Sequence, residues 1–90
     1  MSDEAIVKQT KNCSAGMHAG TLTLTNERLT FTSLLRKKVI FDVPIANIQQ
    51  VEAAGPNFVD ILAHEGRYRV RVNAITRKEW VETLQQAVAG

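Results

Sequence analysis

The sequence predicts a mainly β fold closed by one C-terminal helix, and three observations carry that expectation. Residues 20–33 alternate apolar and polar side chains with period two, residues 59–72 do so again, and after residue 75 the period becomes helical. A single helix that arrives last can plug the open end of a small sandwich or partly closed barrel. The composition supports a packed core. Of 90 residues 44% are apolar and 22% charged, and only 2 are prolines, which argues against a disordered chain. For a chain of this size the surface-scaling relation buries roughly 64% of the unfolded surface. That suffices for one core, so a single domain over residues 1–90 is expected, with its core at about 4–88.

Taken in order, residues 6–10 are the weakest candidate for a strand, and residues 12–19, with Cys13, Gly16 and His18, read as the loop after it. Next comes a hairpin. With Asn26-Glu27 as a two-residue turn, Leu24 faces Leu29, Leu22 faces Phe31, Thr23 faces Thr30 and Thr21 faces Thr32. One face is then apolar and the other threonine, and a slip of one residue would put the leucines in water. Val39, Phe41 and Val43 alternate with Ile40 and Asp42 in a further strand that Pro44 ends, because proline donates no ladder hydrogen bond. Residues 45–49 suit one helical turn and residues 50–53 a short strand. Ala54-Gly55-Pro56-Asn57 is a turn cluster.

A second hairpin is expected at Glu65-Gly66, where glycine permits positive φ. Pairing outward sets Ala63 against Tyr68, Ile61 against Val70 and Val59 against Val72, with Asp60 and Arg71 as an ion pair on the outer face. The last element begins with Thr76-Arg77-Lys78-Glu79, the pattern of a capping box, with Ile75 before it as a hydrophobic staple onto Trp80. Trp80, Val81, Leu84, Ala87 and Val88 then form the apolar stripe of a helix over residues 76–88, and Gly90 is its stop.

Beyond pattern, Gly20-Thr21-Leu22-Thr23-Leu24-Thr25-Asn26-Glu27-Arg28-Leu29-Thr30-Phe31 resembles the G-x-L-x-L-T-x-x-R-L-x-F signature of GRAM domains, within the pleckstrin-homology-like superfamily. Val43-Pro44-Ile45-Ala46-Asn47-Ile48 followed by Val51 is similar to a second element of that family, and the Tyr68 strand with the Trp80 helix resembles its ending. The resemblance implies a pleckstrin-homology-like sandwich, or partly open barrel, of about seven antiparallel strands capped by the C-terminal helix. It also implies a non-catalytic binding module whose first, third and last strand-to-strand loops open at one end, opposite the helix. Here those loops carry Lys11 and His18, then Arg36, Lys37 and Lys38, then His64 and Arg67. The strand after the first loop is Leu and Thr rather than basic, which departs from the phosphoinositide pattern of many pleckstrin-homology domains.

The chemistry in the side chains points the same way. Only His18 and His64 could act as bases at neutral pH, and Cys13 is the one thiol, so neither a catalytic constellation, a zinc site nor a disulfide is expected. No glycine-rich phosphate loop precedes a helix, and no cofactor or metal is expected. The N-terminus Met1-Ser2-Asp3-Glu4 is acidic, and nothing resembles a signal peptide or a membrane span, so the expected location is cytoplasmic. A net charge of +2 is too small for a whole-molecule polyanion binder. Any electrostatic function must be local.

Local charge concentrates at Leu34-Leu35-Arg36-Lys37-Lys38, where two leucines stand beside three cations between strands. That composition suits the inner face of an anionic membrane, with Leu34 and Leu35 entering the interface and Lys11, Arg36, Lys37, Lys38 and Arg67 as charge contacts. The competing reading is an ordinary turn with its leucines tucked into the core. The alternating Arg67, Arg69 and Arg71 lack interleaved aromatics, which argues against nucleic acid as a partner. A protein-interaction or self-assembly adaptor is the alternative function. It would use the threonine face of Thr21, Thr23, Thr30 and Thr32, with Ile40 and Leu62, or an unprotected sheet edge.

Overall fold

A computed structural model describes residues 4–35 and 37–89, apart from the side chain of Asn12. Its elements are β1 (Ile6–Ala15), β2 (His18–Thr25), β3 (Arg28–Ser33), β4 (Val39–Pro44), a 3-10 turn (Ile45–Asn47), β5 (Ile48–Ala54), β6 (Phe58–Ala63), β7 (Gly66–Arg71) and α1 (Ala74–Ala89). The strands pair antiparallel in the order β4-β3-β2-β1-β7-β6-β5. β1 is the hinge of this arrangement. It pairs with β2 along its length but meets β7 through Ser14 opposite Arg71. The sheet folds over there, and its halves pack against each other. Phe41 on β4 stacks on Tyr68 of β7 with ring centroids 4.7 Å apart, although those strands are distant in the sheet order. The core is therefore that of a sandwich closed along one side.

The first hairpin has the expected register, with Leu24 opposite Leu29, Leu22 opposite Phe31, Thr23 opposite Thr30 and Thr21 opposite Thr32. All four apolar members are fully buried. The Thr25 hydroxyl shapes the turn by accepting from the backbone N–H of Glu27 at 3.1 Å and of Arg28 at 3.0 Å. The threonine face is half-buried rather than open, and Gln9 of β1 donates to the Thr23 hydroxyl at 3.0 Å. Gly20 sits where β2 and β3 approach closely; a Cβ there would overlap the Thr32 carbonyl. Only glycine fits, which explains the residue that opens the motif.

Four expectations are corrected by the structure. First, residues 12–15 belong to β1, not to a loop, and the turn is confined to Gly16-Met17. Register shifts between Ile6 and Lys8 and between Thr10 and Cys13 break the alternation along this strand, so its period-two signal is lost. Cys13 behaves there as a small apolar residue, 3% exposed, and burial pushes its thiol pKa up. Second, an irregularity between Phe31 and Thr32 in the β3–β4 pairing opposes Thr32 to Val39. Ile40 is thereby packed on the core, and Val39 is left exposed. Ile40 does not face away from the core.

Third, the second hairpin turns at His64-Glu65, two residues out of the expected register: Ala63 opposes Gly66, Ile61 opposes Tyr68 and Val59 opposes Val70. A shift of two preserves the faces, so Val59, Ile61, Ala63 and Val70 are still buried. Gly66 takes φ 147° just after the turn, while neither turn residue has positive φ. The His64 N–H donates to the Asn47 carbonyl at 3.0 Å, which ties the turn to the 3-10 segment. The outer face changes partners as a result. Asp60 pairs with Arg69, not Arg71, through bonds of 2.6 Å from Nε and 3.0 Å from the second guanidinium nitrogen.

Fourth, α1 starts two residues before the expected cap. Asn73 is the N-cap: its Oδ1 accepts from the N–H of Thr76 at 2.8 Å and its carbonyl from that of Arg77 at 2.8 Å. Thr76 is thus inside the first turn, and Ile75 is 79% exposed rather than stapled to Trp80. Asn73→Ala is expected to cost about 0.5–2 kcal/mol. Thr76→Ala should change stability by a few tenths at most. Urea unfolding of the two variants checks this, and the reverse order would restore the Thr76 cap.

The buried stripe of α1 holds Trp80 and Leu84, with Val81, Ala87 and Val88 packed at its margin. The helix lies on β5, β6 and the 3-10 turn. Trp80 Nε1 reaches β1, donating to the Thr10 hydroxyl at 2.8 Å, and Gln85 donates to the Val51 carbonyl of β5 at 3.0 Å. These contacts make α1 a plug between the two halves of the sheet.

Candidate functional site

The site grows from two neighbouring turns. The β1–β2 turn is short because Gly16 adopts φ 61°, leaving Met17 at its tip. The β3–β4 turn is closed by the Ser33 N–H donating to the Lys38 carbonyl at 2.8 Å and the Lys38 N–H donating to the Ser33 hydroxyl at 3.3 Å. Lys37 takes φ 49°, alone among the described non-glycine residues in having positive φ. A further bond, from the Leu34 N–H to the Ala19 carbonyl at 3.0 Å, fastens this turn to the start of β2. The two tips are therefore held together by backbone.

Between them they expose apolar surface: Met17 is 99%, Leu35 98% and Leu34 48% solvent-accessible. The leucines are not tucked into the core. Met17, His18 and Leu35 line one depression of about 360 Å³. Beside it, a depression of about 330 Å³ has Thr21, Thr23 and Thr32 as its floor and Lys11, Lys37 and Leu34 around it. A third, of about 580 Å³, runs from Leu34 and Ser14 to Asn57 and Arg71. No carboxylate is among the described residues that line the three, whereas Lys11, Lys37, Arg71 and His18 are. The acidic lining groups stand elsewhere, Glu52 beside α1 and Glu52 with Asp60 on the outer face of β5 and β6.

Of the residues singled out in the sequence, Lys11, Leu34 and Lys37 share one depression, and Leu35 and Lys38 belong to the same turn. Arg67 is not brought to them. It lines a small separate depression with Asp60 and Glu52, and its turn is bonded to the 3-10 segment. Arg36 lies outside the described residues. Two residues were missed. Met17 falls within the longer loop that the sequence suggests, although an apolar residue after a turn glycine is a visible signal. Arg71, expected as the partner of Asp60, makes no ion pair among the described residues.

Asp60 instead has its carboxyl held below its ordinary value of 3.8 by the hydrogen bond from Arg69 and the adjacent charge. A depressed carboxyl pKa stabilises the fold above the unfolded value and ceases to do so as pH falls through the folded one. Stability is thus expected to be flat near neutrality and to decline below about pH 4. In Asp60→Asn that decline should be shallower, as read from thermal melts between pH 2 and 7.

No family model matches the chain, and no curated protein matches it. Solved structures do. The C-terminal domain of an unknown protein from Leishmania infantum aligns over 97% of this chain and 86% of its own length, at 18% identity and a TM-score of 0.79. The N-terminal PH domain of human ARAP2 aligns over 96% of this chain and 77% of its own, at 14% identity and a TM-score of 0.65. The fold is pleckstrin-homology-like. In this pleckstrin-homology-like frame the depressions with basic residues lie at the β1–β2 and β3–β4 hairpins, with α1 packed on β5 and β6. Among the described residues no helix is long and apolar enough to cross a membrane.

Proposed function

We propose that this chain is a non-catalytic binding module that attaches peripherally to anionic membrane through the β1–β2 and β3–β4 turns. One observation carries the reading: exposed Leu34 shares depressions with Lys11, Lys37 and Arg71, exposed Leu35 and Lys38 belong to the same turn, and no carboxylate is among the described residues that line these depressions. Leucine side chains enter the interfacial layer, and each cation near anionic lipid adds about 1 kcal/mol. The resemblance of residues 20–31 to the GRAM signature and the pleckstrin-homology-like fold support a domain of this class, at the cytoplasmic face. Arg67 has no part in this reading.

Sheet pairing with a protein is the second reading, since β4 and β5 are both edges. The Val51 carbonyl of β5 is already engaged by Gln85, and β4 ends at Pro44, which weakens both edges as templates.

Co-sedimentation with neutral and anionic liposomes at low and high salt tests the proposal. Binding to anionic vesicles at 0.1 M salt that falls steeply toward 1 M is expected, because the screening length shrinks from about 10 to about 3 Å. Absence of binding to either vesicle would overturn it.

A further inference from the structure

Two small side chains lie side by side where the sheet bends. The strand registers put Ala19 of β2, Ser14 of β1 and Arg71 of β7 in one row, so their side chains share a face. Leu34 stands at the Ala19 end of that row, fastened by its N–H bond to the Ala19 carbonyl. At the Arg71 end are Asn73, two residues further along the chain, and Asn57, whose carbonyl accepts from the Val72 N–H at 2.7 Å. Alanine and serine leave the space between the two ends unfilled, and the result is the depression of about 580 Å³ that all six residues line. Arg71 is the one charged group among its described lining residues, and it makes no ion pair among the described residues. The Asn73 Oδ1 is taken by the Thr76 N–H, which leaves its amide nitrogen to donate. One cation flanked by neutral donors complements a single carboxylate, which a guanidinium holds through paired bonds. At the other end Leu34, half exposed, offers apolar surface. Neighbouring strands are about 4.8 Å apart, so the row from Ala19 to Arg71 spans about 10 Å, the length of three extended residues. The depression lies open on the surface, whereas a small-molecule site encloses most of its ligand, and a stretch of chain laid across the row fits it better.

We propose that this depression binds an extended acidic peptide of a partner protein, with an apolar side chain against Leu34 and a carboxylate three residues further along at Arg71. The charge of Arg71 and the absence of any carboxylate among the described lining residues set the sign of the partner. The row of Ala19 and Ser14 sets the spacing between its two anchors. The proposal does not rest on the membrane reading, and its test contains no lipid.

The probe is a pooled library of acetylated and amidated heptapeptides in which leucine and aspartate are fixed three positions apart and the other positions are randomised among uncharged residues. It is titrated into the isotope-labelled full chain, and the backbone amide signals are followed. Saturable shifts are expected at Ser14, Ala19, Arg71 and Asn73, and the same pool with asparagine in place of aspartate should bind about tenfold more weakly. Arg71→Gln should lose about as much. Ala19→Phe keeps the charge but fills the floor at an exposed strand position, and should abolish the shifts. Arg67→Gln, on another surface, should bind like the parent. Melting curves matching the parent's establish that each variant folds. Absence of shifts, equal binding of the two pools, or parent affinity in Arg71→Gln would each overturn the proposal. So would shifts centred on Lys11 and Lys37, which would mark attraction to the lysines of the neighbouring depression instead.

Discussion

Replacing Lys11, Lys37 and Lys38 together by glutamate is expected to lower affinity for anionic vesicles by more than about a hundredfold. Each cation near the surface contributes about 1 kcal/mol, and the reversed charges would be repelled. The fold should be untouched, because all three side chains are exposed and none is in an ion pair among the described residues. Circular dichroism melts provide that control, and co-sedimentation the result. A variant that binds like the parent would remove the basic end from the mechanism. Substituting Arg67 in the same way should have a much smaller effect, since it stands on another surface with Asp60 and Glu52 beside it.

The second large effect concerns Trp80. It is fully buried, the largest side chain in the core, and its ring nitrogen donates to Thr10 across the chain. Trp80→Ala is expected to cost about 3–5 kcal/mol through lost burial and a cavity. A domain of this size has a total stability of about 5–13 kcal/mol, so the variant should be near its unfolding threshold at 37 °C. Trp80→Phe keeps most of the apolar volume but orphans the Thr10 hydroxyl, and about 1–2 kcal/mol is expected. Trp80 is the only tryptophan, so the measurement is urea unfolding followed by far-ultraviolet circular dichroism. Loss of less than 1 kcal/mol in Trp80→Ala would show that α1 does not lock the two halves of the sheet.

The parts of the fold legible in the sequence are those whose pairing is regular. Leu22, Leu24, Leu29 and Phe31 announce a hairpin because β2 and β3 pair without a bulge, so alternation survives intact. β1 was only half-visible because two register shifts scramble its facing, and a buried cysteine beside glycine and alanine looks like loop composition. The β3–β4 irregularity hid the inward turn of Ile40 for the same reason. A hairpin turning at His64-Glu65 buries the same faces as one turning at Glu65-Gly66, so alternation alone does not separate them. The tertiary bond from His64 to Asn47, with the tolerance of Gly66 for φ 147°, accompanies the one adopted. At the helix start two cap patterns overlap, and Asn73 prevails over Thr76.

The site was legible in part for a comparable reason. Leu34, Leu35 and the lysines are contiguous in the chain, so composition alone exposes them. Met17 and Arg71 join them only through tertiary placement: one through a turn set by Gly16, the other through the register that gives Asp60 to Arg69.

The most direct test of the proposed membrane attachment is a residue-resolved map. Isotope-labelled protein would be bound to anionic bicelles carrying a spin-labelled lipid, and the broadening of each backbone amide signal recorded. Broadening is expected to concentrate at Met17, His18, Leu34, Leu35, Lys37 and Lys38, with Ile75 and the β5 edge at residues 49–52 unaffected. Broadening centred on that edge or along α1, with the two turns unchanged, would contradict it.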